Sequence, residues 1–219
     1  SSFCLCSPQH VVVYGSGAAK WRDRKVYSDE SKVITKTVQQ QTPAATVLAA
    51  GLGSRLGFRP KAMLEVGGAT ILERVVMALR GAGVQMISVV IGPYREQLLP
   101  MVEGCGAYPI LHQLHNPSFV ESQRLALDNH SRRGADLDLM LVLGDLVLLT
   151  ASDVLLLLGA WSQRAPSVHA QRPSVNGVRG HPLLLSSWAV RQVCTLPRSL
   201  GVRDWLDSHT DVIESVPTH

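Results

Sequence analysis

The residues best suited to chemistry are concentrated between Val47 and Lys61, which reads Val-Leu-Ala-Ala-Gly-Leu-Gly-Ser-Arg-Leu-Gly-Phe-Arg-Pro-Lys. An apolar run over residues 46–50 stops at Gly51, and Gly51, Gly53 and Gly57 alternate with Ser54 and Arg55 before Pro60-Lys61 closes the segment. Glycines reach positive φ and let an anion approach the backbone, so successive N–H groups can converge on phosphate oxygens. Arg55 and Lys61 add full charges that backbone dipoles cannot supply. A glycine turn with two solvated cations is the alternative, and the Ser-Arg pair with the Pro-Lys closure weighs against it. The Walker pattern Gly-x4-Gly-Lys-Ser/Thr does not occur in this loop, which argues against an ordinary P-loop kinase or ATPase.

Gly144-Asp145 follows the most apolar run of the chain, Asp138 to Leu143. A carboxylate released at a strand end beside phosphates is a hard oxygen donor suited to Mg²⁺; the alternative is a turn or capping aspartate ahead of the helix expected from Asp153. Val175 to Pro182 forms a glycine-punctuated loop in which Arg179 or His181 can touch a ligand. A hairpin whose His181 only satisfies a backbone group fits the same spacing. Cys4 and Cys6 make one close pair while Cys105 and Cys194 stand apart, so zinc spacing is not met. No Ser-His-Asp or Cys-His pairing is evident.

The elements that must position these groups alternate between strand and helix. After the opening loop, Ala62 to Val66 predicts a short extended piece. Thr70 caps a helix with Ile71, Val75, Ala78 and Leu79 at helical spacing, and Glu73 completes a capping box. Further strands are expected at Met86–Ile91, Tyr108–Leu111 and Asp138–Leu143. Helices are expected at about 94–102, 118–131, 153–161, 187–196 and 201–208. Strands separated by helices predict right-handed βαβ units, hence an α/β, Rossmann-like, open and mostly parallel sheet with helices on both faces. Ligands bind such sheets outside the carboxyl ends of the strands, so the opening loop and Asp145 are expected to face one crevice.

The chain has 219 residues, 46% hydrophobic and 17% charged, which predicts one main domain with a sizeable core. Its net charge of +4 is uneven: residues 1–43 hold six Lys/Arg against three Asp/Glu, and the remainder is nearly neutral. Lys61 is the sole lysine after position 43. Residues 1–43 therefore read as an extension, linker or fusion remnant, and residues 44–219 as the domain. No basic stripe interleaved with aromatics points to nucleic acid. No apolar run spans a bilayer and no secretory signal is visible, which predicts a cytoplasmic protein.

Leu48-Ala49-Ala50-Gly51-x-Gly53-Ser54-Arg55-x-Gly57 with Pro60-Lys61 resembles the signature of the MobA-like NTP transferases. Asn116-Pro117 with Glu121-Ser122-Gln123-Arg124, then Leu143-Gly144-Asp145, then Gly177-Val178-Arg179-Gly180-His181-Pro182, resemble the molybdenum cofactor cytidylyltransferase branch. The resemblance covers about residues 44–216. It implies that Leu48, Ala49, Ala50, Gly51, Gly53 and Ser54 hold a triphosphate with Arg55 and Lys61. It further implies that Asp145 binds Mg²⁺, that Asn116 and Gln123 contact substrate, and that Gly180, His181 and Pro182 line the acceptor side. The Ala-Ala-Gly form of the loop is similar to cytidylyl-transferring members, which implies CTP as donor. The expected reaction joins CMP to a phosphate acceptor, molybdopterin or its metal-loaded form, with a molybdoenzyme or its chaperone as partner. A sugar- or alcohol-phosphate acceptor and a non-catalytic nucleotide-binding module are the alternatives. The sequence departs from the family where Leu146-Val147 replaces a step ending in proline, and where Thr218-His219 stands in place of an acidic segment. The expectation there is a domain truncated at its C-terminus, with no second carboxylate in view.

Overall fold

The computed structural model describes residues 42–53, 60–134 and 136–218. Strand β1 (Ala44–Ala49) is buried along its whole length and leads into the glycine loop. A 3-10 turn at Lys61–Met63 and the two-residue strand β2 (Glu65–Val66) stand where an extended piece was expected, and β3 (Ala69–Thr70) pairs back antiparallel on β2. Helix α1 (Ile71–Gly81) starts at the Thr70–Glu73 capping box: Thr70 Oγ1 accepts from the Glu73 amide at 3.2 Å and Glu73 Oε2 from the Thr70 amide at 2.7 Å. The chain continues through β4 (Ile87–Ile91), α2 (Arg95–Gly104), β5 (Tyr108–Leu111), α3 (Phe119–Arg133) and β6 (Leu139–Leu143). It then runs through α4 (Ala151–Ser162), β7 (Ala170–Val175), β8 (Val178–Arg179), β9 (Leu183–Leu185), α5 (Ser187–Thr195), α6 (Val202–Ser208) and β10 (Ile213–Pro217).

The main sheet has the order β10-β7-β9-β6-β1-β4-β5, with β8 attached to β7. β1 lies parallel to both neighbours, Val47 opposite Val89 of β4 and Val142 of β6. β9 runs antiparallel between β6 and β7, so the carboxyl ends of β1, β4, β5, β6 and β7 share one edge. Of the two readings of residues 175–182, loop or hairpin, the hairpin is found: β7 and β8 pair antiparallel around Asn176 (φ 50°) and Gly177 (φ 80°), two successive positive-φ residues as a type I′ turn requires. The strands β7 and β10 are additions to the elements expected.

Alternation along β1 divides the core. Ala45, Val47 and Ala49 pack with Leu72, Val75, Leu98, Leu157 and Trp161 from α1, α2 and α4. Leu48 and Ala50 point the other way, into Ala126, Leu127, Val190 and Trp205 from α3, α5 and α6. Both sheet faces are thereby covered, which is why the central strands are continuously apolar. Arg124, 4% exposed, donates from its two terminal nitrogens to the carbonyls of Val193, Leu196 and Pro197 at the end of α5, while its buried Nε has no hydrogen-bond partner. Among the described residues no helix is long and apolar enough to cross a membrane.

Candidate active site

Glycines shape the edge where the strands end. Gly144, directly after β6, donates its amide to the Leu48 carbonyl at 2.9 Å. A Cβ on it would meet that oxygen at 2.9 Å, and a Cβ on Gly92, directly after β4, would meet the Ala50 carbonyl at 2.6 Å. Only glycine on both sides leaves the end of β1 room to turn away. Gly53, at φ 60°, then bends the loop in a region that L side chains rarely adopt.

A cleft of about 450 Å³ opens there. Leu48, Ala49, Ala50, Gly51 and Gly53 form one wall, Pro60 and Lys61 another, and Gly144 and Asp145 a third. Pro117, Phe119 and Ser122, from the start of α3, close the remaining side. Lys61 and Asp145, 84 positions apart in sequence, meet at this edge with Nζ 3.2 Å from Oδ2. Their side chains are 45% and 41% exposed, so both charges remain open to a ligand. Ser54 and Arg55 lie outside the described residues.

A second cavity of about 320 Å³ adjoins the first, and Asp145 lines both. His181 and Pro182 line it with Leu146, Val147, Asp153 and Pro173. Gly180 does not line this cavity; its amide pairs with the Pro173 carbonyl at 2.9 Å. The His181 Nδ1 atom is buried without a hydrogen-bond partner. Burial holds the His181 pKa below its ordinary 6.5, against the opposing pull of the Leu141 carbonyl and the Asp145 charge, so the imidazole is neutral near pH 7.

The sequence-assigned residues around α3 divide differently. Asn116 is exposed just before Pro117. Gln123 is only 5% exposed, and its Oε1 accepts from the Val202 amide at 3.4 Å, tying α3 to α6. Its neighbour Ser122 reaches the cleft instead, because a one-residue step on a helix turns the side chain by about 100°. Tyr94, which no motif signalled, donates its hydroxyl to the Leu52 carbonyl at 2.9 Å and pins the loop from the β4 side.

Among the described residues no group of three or more His, Cys, Asp or Glu side chains is arranged to hold a metal ion. The Asp145 carboxylate is the acidic side chain among the described residues lining the cleft, and it would be the one to hold a cation there.

Several known proteins resemble this chain. The CMP-5'-(3-aminopropyl)phosphonate synthase of Streptomyces rubellomurinus is 38% identical over 133 residues, covering 59% of this chain and 21% of that protein. The 2-aminoethylphosphonate cytidylyltransferase of Lancefieldella rimae is 35% identical over 86 residues, covering 37% and 34%. The matches thus take in only a fifth to a third of these relatives' length. In fold, the chain is similar to Rv0371c of Mycobacterium tuberculosis, with a TM-score of 0.65 at 20% identity over 81% of this chain and 89% of that one. Rv0371c has also been solved in complex with manganese. The MobA-like NTP transferase domain matches residues 45–212, three quarters of the sequence and all of the crevice just described, and the chain belongs to that family.

Proposed function

We propose that this chain is a nucleotidyltransferase that moves CMP from CTP to a phosphorus oxyanion of a small acceptor and releases pyrophosphate. One observation carries the reading: Asp145 is common to two adjoining cavities and is bonded to Lys61, the lysine that closes the glycine loop. A triphosphate in the larger cavity and an acceptor in the smaller one meet beside that pair. The acceptor oxygen attacks the α-phosphorus; the new P–O bond forms as the bond to the bridging oxygen breaks, and the electron pair leaves with pyrophosphate. No protein nucleophile is needed, and catalysis consists of positioning and charge neutralisation.

In this scheme Lys61 exchanges its contact with Asp145 for the phosphates, and the loop amides orient the triphosphate. A divalent cation, Mg²⁺ in this reading, held by Asp145 and triphosphate oxygens, would supply further positive charge at the reacting phosphates. Arg55 and Ser54 belong to the loop's contribution on sequence grounds, with Asn116 at the rim of the cleft. CTP is favoured by the Ala49-Ala50-Gly51 form of the loop and by two relatives named for CMP transfer. The sequence motifs favour molybdopterin as acceptor and the relatives' names favour an aminoalkyl phosphonate; both present a phosphorus oxyanion. With molybdopterin the product passes to a molybdoenzyme or its chaperone in the cytoplasm.

Incubation with CTP, GTP or ATP, Mg²⁺ and a panel of molybdopterin, alkyl phosphonates and sugar phosphates tests the reading. CTP is expected to yield the fastest pyrophosphate release with at least one phosphorus-oxyanion acceptor. CTP binding in calorimetry without turnover on any of them would leave a nucleotide-binding module and refute the transfer reaction.

A further inference from the structure

Three side chains among the described residues lining the larger cleft are polar: Lys61, Asp145 and Ser122. Lys61 and Asp145 are charged and bonded to each other. Ser122 is uncharged and stands on the α3 wall, beside Pro117 and Phe119. Phe119, the first residue of α3, is 52% exposed, an aromatic ring that lines the cleft and is left out of the core. This wall offers a flat apolar face and one hydroxyl, which suits a nucleobase, whereas the charged side suits phosphates.

The single hydrogen of the Ser122 hydroxyl is already used. Ser122 Oγ lies 3.1 Å from the Ser118 carbonyl, one helical turn back. A carbonyl oxygen can only accept, so the hydroxyl donates there, as serines inside helices often do. What remains for a ligand is the oxygen's lone pairs. The neighbouring polar side chains are engaged elsewhere: Ser118 Oγ accepts from the Glu121 amide at 3.1 Å, and Glu121 Oε2 from the Ser118 amide at 2.7 Å. Gln123, which accepts from the Val202 amide, and Arg124, which donates to the Val193 and Pro197 carbonyls, fix the rotation of α3 on either side of the next turn. Ser122, 5% exposed, is thus an oriented acceptor.

We infer that α3 reads the nucleobase of the donor through Ser122, whose hydroxyl oxygen accepts from a ring amino group while Phe119 packs on the face of the base. This assignment rests on the nucleotidyl-transfer reading and names the residue that selects its donor. Cytosine carries an amino group where uracil carries a carbonyl oxygen, and the two bases otherwise have nearly the same shape. A uracil oxygen facing Ser122 finds no proton unless the hydroxyl turns away from Ser118, so UTP binds with one hydrogen bond fewer.

Calorimetric binding of CTP, UTP and the triphosphate of 2-pyrimidinone riboside, which has only hydrogen in place of the amino group, is compared in the presence of Mg²⁺. Pyrophosphate release is followed in parallel. CTP is expected to bind about tenfold more tightly than either of the others, the size of one hydrogen bond. Ser122→Ala should bring the three within about twofold of one another by weakening CTP alone. Phe119→Ala should weaken all three alike by about tenfold, because stacking engages the face of a base and not its edge. Thermal melts verify that both variants fold, and the pyrimidinone deletes the same hydrogen bond from the ligand side in the parent protein. Equal binding of CTP and UTP, preference for UTP, a pyrimidinone bound as tightly as CTP, or a preference unmoved by Ser122→Ala overturns the inference. If pyrophosphate release persists in those cases the transfer reading survives; if none of the three triphosphates binds, both fall.

Discussion

Lys61→Ala separates a catalytic cation from a structural one. Lys61 opens a 3-10 turn, and the turn is anchored by Ala62, which is 5% exposed, and not by the lysine side chain. Its one described ion pair is with Asp145 at 3.2 Å, between side chains 45% and 41% exposed. A pair so open to water is screened and is worth roughly 0.2–1 kcal/mol, so its loss should lower the melting temperature of a domain this size by no more than about 4 °C. The same ammonium opposite charge developing on a transferring phosphoryl group is worth far more. Removing one preorganised partner of a developing oxyanion costs about 10²–10³ in kcat, or roughly 2.7–4 kcal/mol. The variant should therefore fold almost as well as the parent and turn over at less than about one hundredth of its rate. Lys61→Arg should recover only part of that loss, since a planar guanidinium does not reproduce a compact ammonium. Calorimetric melting and a coupled pyrophosphate assay read the two quantities separately. Activity within threefold of the parent would remove Lys61 from the chemistry; a melting temperature lowered by more than about 10 °C would make it a scaffold residue, contrary to its exposure.

Tyr94→Phe deletes the hydroxyl that holds the Leu52 carbonyl at 2.9 Å, and one hydrogen bond of this kind is worth about 1 kcal/mol; the KM for CTP should rise about fivefold with a smaller change in kcat. An unchanged KM would show that the loop keeps its shape without Tyr94. Stability should fall on acidification, because burial lowers the pKa of both His130 and His181 from 6.5 and the unfolded chain then takes up protons that the folded chain resists. The sign follows: above pH 6.5 both states are neutral at these sites and nothing is lost, whereas below it stability declines until the depressed folded values are reached. Urea midpoints between pH 7.5 and 5 check this, and His130→Gln should flatten the profile; a midpoint that rises on acidification would contradict it.

Capping chemistry made the helices legible. Thr70 and Glu73 announce α1 by satisfying each other's backbone groups, a local arrangement that needs no knowledge of the fold. The apolar runs of β1, β4 and β6 were equally visible because both faces of a parallel sheet are covered. Strands β7 (Ala-Gln-Arg-Pro-Ser-Val) and β10 (Ile-Glu-Ser-Val-Pro) carry no such signal. They lie toward the edge of the sheet, and their strand identity comes from pairing: Ile213 to Pro217 lies parallel to Ala170 to Ser174, β7 also pairs with β9 and β8, and the Gln171 side chain donates to Glu214 at 2.7 Å. Tertiary pairing overrides composition there. The Asn176-Gly177 turn is the local clue to the β7–β8 hairpin, one of the two readings that the spacing of residues 175–182 allowed.

Within the crevice, legibility follows the same division. The glycine loop and Asp145 were readable because a topological rule sends every strand end of an open α/β sheet to one edge, so two distant motifs converge without any contact being known in advance. The choice between Ser122 and Gln123 was not readable from the motif that contains both. It depends on the phase of α3, fixed by where Ser118 caps the helix, and a shift of one residue exchanges a cleft wall for the packing of Gln123 against α6. The acceptor side was the least readable part, since Leu146 and Val147 stand where the family pattern carries a different step. Their apolar side chains acquire meaning only once β7 and β9 bring Pro173, His181 and Pro182 opposite them and Asp153 closes the rim. In the proposed reaction the donor side thus rests on a contiguous motif, and the acceptor side on residues assembled from strands that the sequence does not advertise.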